Sequence, residues 1–199
     1  GTTGRPKGVV VPQRAVLRIA WENPDIPITG DGVVLAGSSV AFDAATLELW
    51  GPLLHGGRAV IADRATLVDA SALAELFARH GVTVMFVTTS LFNSLVGQDP
   101  GVLAALRVVM TGGERADAER MRQLYGASGA LQMFHVYGPT ENTTFTTAYR
   151  IPRVLPVGRT VPIGAPIAGG GVVVLDRNGS LCGPGEQGEL VATGLGLAL

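Results

Sequence analysis

The sequence predicts an α/β fold, with a mainly parallel sheet and flanking helices, followed by the start of a β-rich, barrel-like subdomain. Short apolar runs recur about 25 residues apart, and segments with helical period separate them. Each right-handed crossover between parallel strands lays a helix on a sheet face, so this alternation favours a parallel sheet. From about residue 150 the chain changes to proline, glycine and short β-like pieces. We therefore expect an α/β core over residues 1–150 and a β-rich subdomain over residues 151–199.

The individual elements follow from local patterns. The five predicted strands are VVLAG (33–37), RAVIA (58–62), VTVMFV (82–87), RVVMT (107–111) and LQMFHV (131–136). Their continuous apolar character is typical of strands buried on both faces. ALAELFARHG has helical spacing, with Asp69 or Ser71 as a possible N-cap and Gly81 just beyond its end. Later, GVVVLD, the turn dipeptide Asn178-Gly179 and GELVATG predict antiparallel hairpins.

Composition excludes several classes of protein. Of 199 residues, 47% are hydrophobic and 16% are charged, which excludes disorder as the main state. A net charge of -1 provides no field for nucleic acid or anionic lipid, and no apolar stretch is long enough to span a bilayer. We therefore expect no nucleic-acid partner and no membrane partner. The single cysteine, Cys182, excludes an internal disulfide framework and favours a cytoplasmic location.

The first candidate site is the string GTTGRPKG at residues 1–8, which holds Lys7, the only lysine. Hydroxyls, flexible backbone and one ammonium suit a polyphosphate, because amides and hydroxyls donate to its oxygens while lysine supplies charge. The string is not a Walker P-loop, since Pro6 and Gly8 flank the lysine where that motif needs glycine and a hydroxyl residue. A surface turn of the same composition is the alternative.

The second candidate site is HVYGPTENTTF at residues 135–145, directly after the last predicted strand. Ligands of such sheets bind beyond the carboxyl ends of the strands. Tyr137 could stack on a base, Thr140 could donate to a phosphate, and Glu141 could hold magnesium, which prefers carboxylate oxygen. A turn with a helix-capping Thr-Glu pair is the alternative.

Asp43 is the third candidate, because it follows a strand and begins a helical pattern. Its carboxylate could cap that helix, or it could pair with an ammonium in an apolar pocket, and the two roles are compatible.

Two other kinds of site are not supported by the sequence. The three histidines lack zinc-ligand spacing, and no G-x-S-x-G string supports a serine hydrolase.

Five strings occur in order: GTTGRPKG, FDAATLELW, TGGERAD, HVYGPTENTTF and GELVATGLGLA. Together they resemble the adenylate-forming enzymes, specifically the amino-acid-activating adenylation domains of nonribosomal peptide synthetases. The resemblance implies the N-terminal core fold of that family. It also implies that the parent protein joins an amino acid to ATP with Mg2+, releasing pyrophosphate. The aminoacyl group then passes to phosphopantetheine on a peptidyl carrier domain, beside a neighbouring condensation domain.

The resemblance also implies residue roles on the nucleotide side. Thr140 matches the α-phosphate contact, Glu141 the magnesium ligand and Tyr137 the adenine-stacking residue. His135 stands where peptide synthetases often carry asparagine, and it can still hydrogen-bond the adenine amine. The remaining nucleotide-binding residues are the phosphate loop and the neighbours of the adenine pocket, namely Gly1, Thr2, Thr3, Gly4, Lys7, Gly8, Gly113, Glu114 and Gly138.

On the substrate side, Asp43 matches the aspartate that pairs with the α-amino group. The other implied pocket positions are apolar, tiny or hydroxylated, namely Ala44, Leu47, Phe86, Met110, Gly112, Val136, Thr144 and Phe145. No second charge is present to neutralise a charged substrate side chain, which would be costly to bury. We expect Gly112 to keep one wall open and the substrate to be aliphatic, valine or isoleucine before leucine.

Two other functions stay open. One is an acyl-CoA synthetase or aryl-acid ligase of the same superfamily, against which Asp43 followed by the small Ala44 argues. The other is a non-catalytic association module in which the glycine-rich strings are only turns. The chain lacks the family's ribose-binding aspartate and its C-terminal catalytic lysine. We therefore expect an internal fragment that is inactive by itself.

Overall fold

A computed structural model describes residues 7–199 of the chain. Its main sheet has the strand order β2-β1-β3-β4-β5-β6-β7. The first five strands pair in parallel, whereas β6 and β7 are antiparallel additions. The predicted mainly parallel sheet is therefore confirmed. The strands are β1 (Val33–Ala36), β2 (Arg58–Ile61), β3 (Val84–Thr88), β4 (Val108–Gly112), β5 (Gln132–Tyr137), β6 (Thr147–Arg150) and β7 (Ala165–Pro166).

Helices connect the parallel strands. Asp69 begins α4, where its carboxylate accepts a hydrogen bond of 2.9 Å from the amide of Ala72, and Gly81 ends it with φ of 66°. Asp69 is thus the N-cap among the two predicted candidates. The helices are α1 (Gln13–Ala20), α2 (Ala44–Leu54), α3 (Arg64–Val68), α4 (Ala70–His80), α5 (Thr89–Gln98), α6 (Pro100–Ala104) and α7 (Ala118–Ala127), with a 3-10 turn at Thr140–Asn142. In the described part of the chain, no helix is both long and apolar enough to cross a bilayer.

Both faces of the sheet are buried. Val33 and Leu35 of β1 belong to one apolar cluster, while Val34 between them belongs to another. Successive strand side chains point to opposite faces, so the two clusters lie on opposite sides of the sheet. Helices α4, α5 and α7 contribute to the first cluster, and α1 and α2 to the second. This two-sided burial accounts for the continuous apolar strands of the sequence.

The last part of the chain forms a second, two-stranded antiparallel sheet of β8 (Gly170–Leu175) and β9 (Glu189–Gly194). The predicted turn at Asn178-Gly179 lies in the connection between them, where the carboxylate of Asp176 accepts the amides of Asn178 and Ser180. Past residue 150, β7 still pairs with β6 in the main sheet. The division of the chain at residue 150 stays a prediction.

The strand order positions the candidate site. β2 lies on one side of β1 and β3 on the other, so the direction of strand addition reverses at β1. Crevices outside the carboxyl ends of strands at such a reversal are the usual ligand sites of open α/β sheets. The segments after β1, β3, β4 and β5 all leave the sheet at this edge, because these strands are parallel.

Candidate functional site

A pocket of about 370 Å3 lies at the carboxyl ends of β4 and β5. It brings together four residues that were predicted to bind the nucleotide. The segment between β6 and β7 contributes two apolar residues that the sequence did not indicate. The predicted residues are Gly113, Glu114, His135 and Tyr137, and the additional two are Val161 and Ile163. Tyr137 is 40% exposed, so its ring is available for stacking.

His135 is buried in the wall of this pocket. Its Nδ1 lies 2.8 Å from the carbonyl oxygen of Pro162. Because a carbonyl only accepts, Nδ1 carries the proton, and in the neutral ring Nε2 is then an acceptor. Nε2 has no hydrogen-bond partner among residues 7–199. The ring thus offers an acceptor of the kind that binds an exocyclic amine.

The segment after β4 is held by residues that no motif indicated. The hydroxyl of Thr89, at the start of α5, donates to the carbonyl oxygens of Gly112 at 3.2 Å and Glu114 at 3.3 Å. Ser90 donates to the carboxylate of Glu114 at 2.8 Å. The only sequence signal for these residues is the run of three hydroxyl residues, Thr88, Thr89 and Ser90, directly after a predicted strand.

Thr140 and Glu141 are exposed on the 3-10 turn after β5, whereas the residues that follow them are buried. The amide of Thr146 donates to the carbonyl of Tyr137 at 2.7 Å, and the side-chain amide of Asn142 donates to the hydroxyl of Thr146 at 2.7 Å. We call residues 140–146 the site loop. Its buried residues 142–146 are hydrogen-bonded within the fold, and the exposed hydroxyl and carboxylate of Thr140 and Glu141 precede them. Gly138 precedes this loop and packs against its backbone at Thr144 and Thr146.

The site loop contacts Asp43 directly. Thr143 and Thr144 have φ of 51° and 69°, a region that β-branched residues rarely adopt. This conformation lets the hydroxyl of Thr144 donate to the backbone carbonyl of Asp43 at 2.9 Å. Such strained backbone persists where surrounding contacts hold it, and it clusters at functional sites. Thr144, predicted as a pocket residue, thus connects the two halves of the site.

Asp43 occupies the N-cap position of α2, but its carboxylate makes no capping hydrogen bond. The predicted role of this carboxylate as a helix cap is therefore not observed. The preceding segment is held instead by Glu48, which is 2% exposed and accepts from the amide of Ser38 at 2.9 Å and from its hydroxyl at 2.7 Å. Burial raises the pKa of Glu48, while the hydrogen bonds from Ser38 partly oppose this shift. Neither residue was predicted from the sequence.

The implied side-chain pocket belongs to a single apolar cluster. Its members from the predicted set are Ala44, Leu47, Phe86, Met110, Val136 and Phe145. The rings of Phe86 and Phe145 lie 5.5 Å apart between centroids. A Cβ at Gly112 would collide with the carbonyl of Val136 on β5, and the expectation that Gly112 keeps one wall of the pocket open stays a prediction. The close approach of the two strands therefore explains this glycine.

The first string lies only partly within the described residues. Gly1, Thr2, Thr3 and Gly4 lie outside them, and Lys7 and Gly8 are exposed. The end of the chain connects this segment to the site loop. The amide of Leu199 donates to the carbonyl of Val10 at 3.0 Å, and the amide of Ala198 donates to the carbonyl of Glu141 at 2.8 Å.

The fold and the convergence at this sheet edge are of the adenylate-forming type. The family model described as "AMP-binding enzyme" matches residues 1–199, and the chain belongs to this family. The chain is 39% identical to bacitracin synthase 1 of Bacillus licheniformis and 36% identical to surfactin synthase subunit 1 of Bacillus subtilis. It is matched over 100% and 99% of its length, but it spans only 4% and 6% of these two proteins.

Solved structures agree with this assignment. Holo-PA1221, an NRPS protein containing adenylation and PCP domains, superposes with a TM-score of 0.93 at 36% identity. The N-terminal subdomain of Klebsiella oxytoca NpsA, in complex with 3-hydroxybenzoyl-AMSN, superposes with a TM-score of 0.89 at 29% identity. Each alignment covers 100% of this chain, and it covers 35% and 51% of the two neighbours. The chain is thus of the nonribosomal peptide synthetase adenylation type.

Glu48 predicts a specific pH dependence. Because its pKa in the folded state is raised above the ordinary 4.5, the folded state binds more protons than the unfolded state. The free energy of unfolding should therefore fall as pH rises from about 4.5 through the raised pKa. The variant Glu48→Gln removes this titration while keeping the shape of the side chain.

The measurement is the urea midpoint of both proteins between pH 4 and pH 8, in a chain that extends over the length of its adenylation-domain relatives. The difference, wild type minus variant, should be largest at low pH and should shrink as pH rises. A difference that is independent of pH would show that folding does not raise the pKa of Glu48.

Proposed function

We propose that this chain carries the nucleotide and amino-acid sites of a domain that forms aminoacyl-adenylates from ATP. The observation that supports this most strongly is the hydrogen bond between Thr144 and the carbonyl of Asp43. It joins the backbone of the residue that carries the candidate amine-binding carboxylate to the loop that presents Thr140 and Glu141. The two candidate reactant sites are therefore neighbours, as the attack of an amino-acid carboxylate on the α-phosphate requires.

The chemistry needs positioning and charge neutralisation. A carboxylate oxygen attacks the α-phosphorus, the bond to the bridging oxygen breaks, and pyrophosphate leaves with its electron pair. Holding the two reactants in line makes this step effectively unimolecular. Donors aimed at the phosphate oxygens stabilise the charge that develops there. In our proposal Thr140 donates to the α-phosphate and Lys7 supplies charge to the departing phosphates.

Magnesium fits the residues present at the site loop. Glu141 is exposed on the 3-10 turn, so its carboxylate is accessible to an ion. Within the same range, no three His, Cys, Asp or Glu side chains form a metal-binding group. An ion held by Glu141 would take its other oxygen ligands from the triphosphate and water, which is usual for Mg2+. The ion supplies charge neutralisation at the phosphates.

The substrate side chain should be aliphatic. The positions proposed for the side-chain pocket lie mostly in one apolar cluster, in which Leu47 and Met110 are each 1% exposed. An unpaired charge or a large polar group would be costly to bury among them. Valine, isoleucine and leucine differ here by one methylene or its placement, which changes binding by only about 1 to 3 kcal/mol. We rank valine and isoleucine ahead of leucine.

We further propose that the product is passed to the phosphopantetheine thiol of a peptidyl carrier domain in the cytoplasm, next to a condensation domain. Support for the carrier comes from the relatives. The solved neighbour PA1221 contains adenylation and PCP domains, and another is described as an artificially fused adenylation-PCP di-domain NRPS. The absence of an internal disulfide framework, with Cys182 as the only cysteine, fits this compartment.

An aryl-acid substrate is the second candidate. The neighbour NpsA is described in complex with 3-hydroxybenzoyl-AMSN and with anthranilyl-AMSN, both of which carry aryl acyl groups. Such substrates have no ammonium on the α-carbon, so an aspartate at position 43 would have no cation to bind. Asp43 therefore favours an amino acid, and aryl acids belong among the substrates tested.

Replacing Asp43 tests the proposal. In a protein that extends over the length of its relatives, Asp43→Ala should lower kcat/KM for the amino acid by about 30-fold or more, because one partner of a charge pair is lost. KM for ATP should change little. The assay is amino-acid-dependent exchange of pyrophosphate into ATP, and the control is Glu75→Ala on the exposed face of α4. Equal kcat/KM for Asp43→Ala and the control would refute the role of Asp43.

His135 gives a second test, directed at adenine. Nε2 is the available acceptor, so wild-type protein should prefer ATP over purine riboside triphosphate, which lacks the 6-amino group. One hydrogen bond corresponds to a preference of roughly 2- to 10-fold in KM. His135→Asn retains an acceptor and should keep the preference, whereas His135→Leu should abolish it. The same KM for both nucleotides in wild-type protein would show that His135 does not contact the amine.

A further inference from the structure

Arg18 on α1 is a buried cation outside every motif discussed above. It is 7% exposed, and no carboxylate pairs with it among residues 7–199. Its Nη2 donates instead to three backbone carbonyls of the site loop, those of Phe145 at 2.7 Å, Asn142 at 2.9 Å and Thr143 at 3.4 Å. Burial lowers the pKa of this guanidinium, yet arginine stays charged in proteins. A buried charge without a counter-ion is costly, and the three carbonyls of the site loop are the groups that offset this cost.

The fifth string of the resemblance, GELVATGLGLA, had no assigned role, and it covers this guanidinium. A Cβ at Gly196 would lie 2.5 Å from Cζ of Arg18, so only glycine lets the chain pass so close. The carbonyl of Gly196 also accepts the hydroxyl of Thr143 at 2.8 Å. The guanidinium is thus enclosed between α1, the site loop and the segment after β9.

The contacts extend from Arg18 to both reactant sites. Toward the nucleotide side, Arg18 fixes the carbonyl of Asn142, the last residue of the turn that presents Thr140 and Glu141. Toward the substrate side, it fixes the carbonyls on either side of Thr144, whose hydroxyl holds Asp43. The left-handed conformation of Thr143 and Thr144 needs such external support.

We propose that Arg18, covered by Gly196, is a positioning residue that sets Glu141 and Asp43 in register through the site loop. This inference rests on the proposed function for its catalytic consequence. The positioning itself does not depend on that function, because it concerns contacts within the loop. All three bonds come from Nη2, whereas Nε and Nη1 of Arg18 are buried without a partner in the described part of the chain. A lysine at this position would keep the charge but present it as a compact point charge on a differently shaped side chain.

The test compares Arg18→Ala, Arg18→Lys and Arg14→Ala in a protein that extends over the length of its relatives. Arg14 is an exposed residue one turn earlier on α1, so it is the matched control. With the best of L-valine, L-isoleucine and L-leucine in pyrophosphate exchange, Arg18→Ala should lower kcat/KM about 100-fold, the effect of a misplacement near 1 Å. KM for the amino acid should rise in Arg18→Ala. Arg18→Lys should reverse part of both changes, the fall in kcat/KM and the rise in KM. If Arg18 only stabilised the fold, its replacement would reduce the amount of active protein and leave KM unchanged.

Hydrogen exchange supplies a readout that needs no activity. Amides of residues 140–146 should exchange faster in Arg18→Ala than in Arg14→Ala, while those of α4 should not differ. Unchanged exchange together with a wild-type KM would overturn the inference.

Two further outcomes are also decisive. If wild-type protein activates no amino acid, the proposed function fails and the exchange rates alone decide whether Arg18 positions the loop. Should Arg18→Ala not fold, Gly196→Ala decides, because its methyl group displaces the guanidinium; a wild-type KM there overturns the inference.

Discussion

The hydrogen-bonded return of the chain from β5 to β6 is the constraint on which the candidate site depends. The bond from the amide of Thr146 to the carbonyl of Tyr137 closes the loop at its base. Asn142, Thr143 and Thr144 are then buried, and their polar groups are largely satisfied inside the protein. This closed loop presents Thr140 and Glu141 to solvent, and the hydrogen bonds of its buried residues hold it in place. Preorganised donors of this kind lower a barrier because they need not reorganise during the reaction.

The same loop lies between the candidate adenine pocket and the apolar cluster. Tyr137 and His135 precede it and line the candidate adenine pocket, while Phe145 at its other end packs against Phe86 in the apolar cluster. Between these two regions, Thr144 holds the carbonyl of Asp43. A carboxylate at the border of an apolar region can bind the ammonium of an amino acid while the side chain enters the apolar part. The arrangement explains why a single charge would suffice for recognition of an aliphatic amino acid.

Much of this architecture follows from local sequence patterns, because the apolar runs set the strands and Asp69 and Gly81 set the bounds of α4. The candidate residues Asp43, Gly113 and Tyr137 follow predicted strands, so their common edge could be predicted as well. The supports could not be predicted. Thr144 meets Asp43 across 101 residues, and Arg18 meets Asn142 across 124, contacts that depend on tertiary packing alone. The close approach of β4 and β5 that requires glycine at position 112 is likewise a tertiary contact, and the sequence did not indicate it.

The central claim is that the site activates an amino acid whose ammonium pairs with Asp43 and whose side chain lies in the apolar cluster. The most direct measurement is pyrophosphate exchange by wild-type protein, extended over the length of its relatives, with all twenty amino acids and with benzoate-type acids. The account predicts exchange above background only with aliphatic amino acids, led by valine or isoleucine. Highest activity with a charged amino acid, or with an aryl acid that has no ammonium, would contradict it.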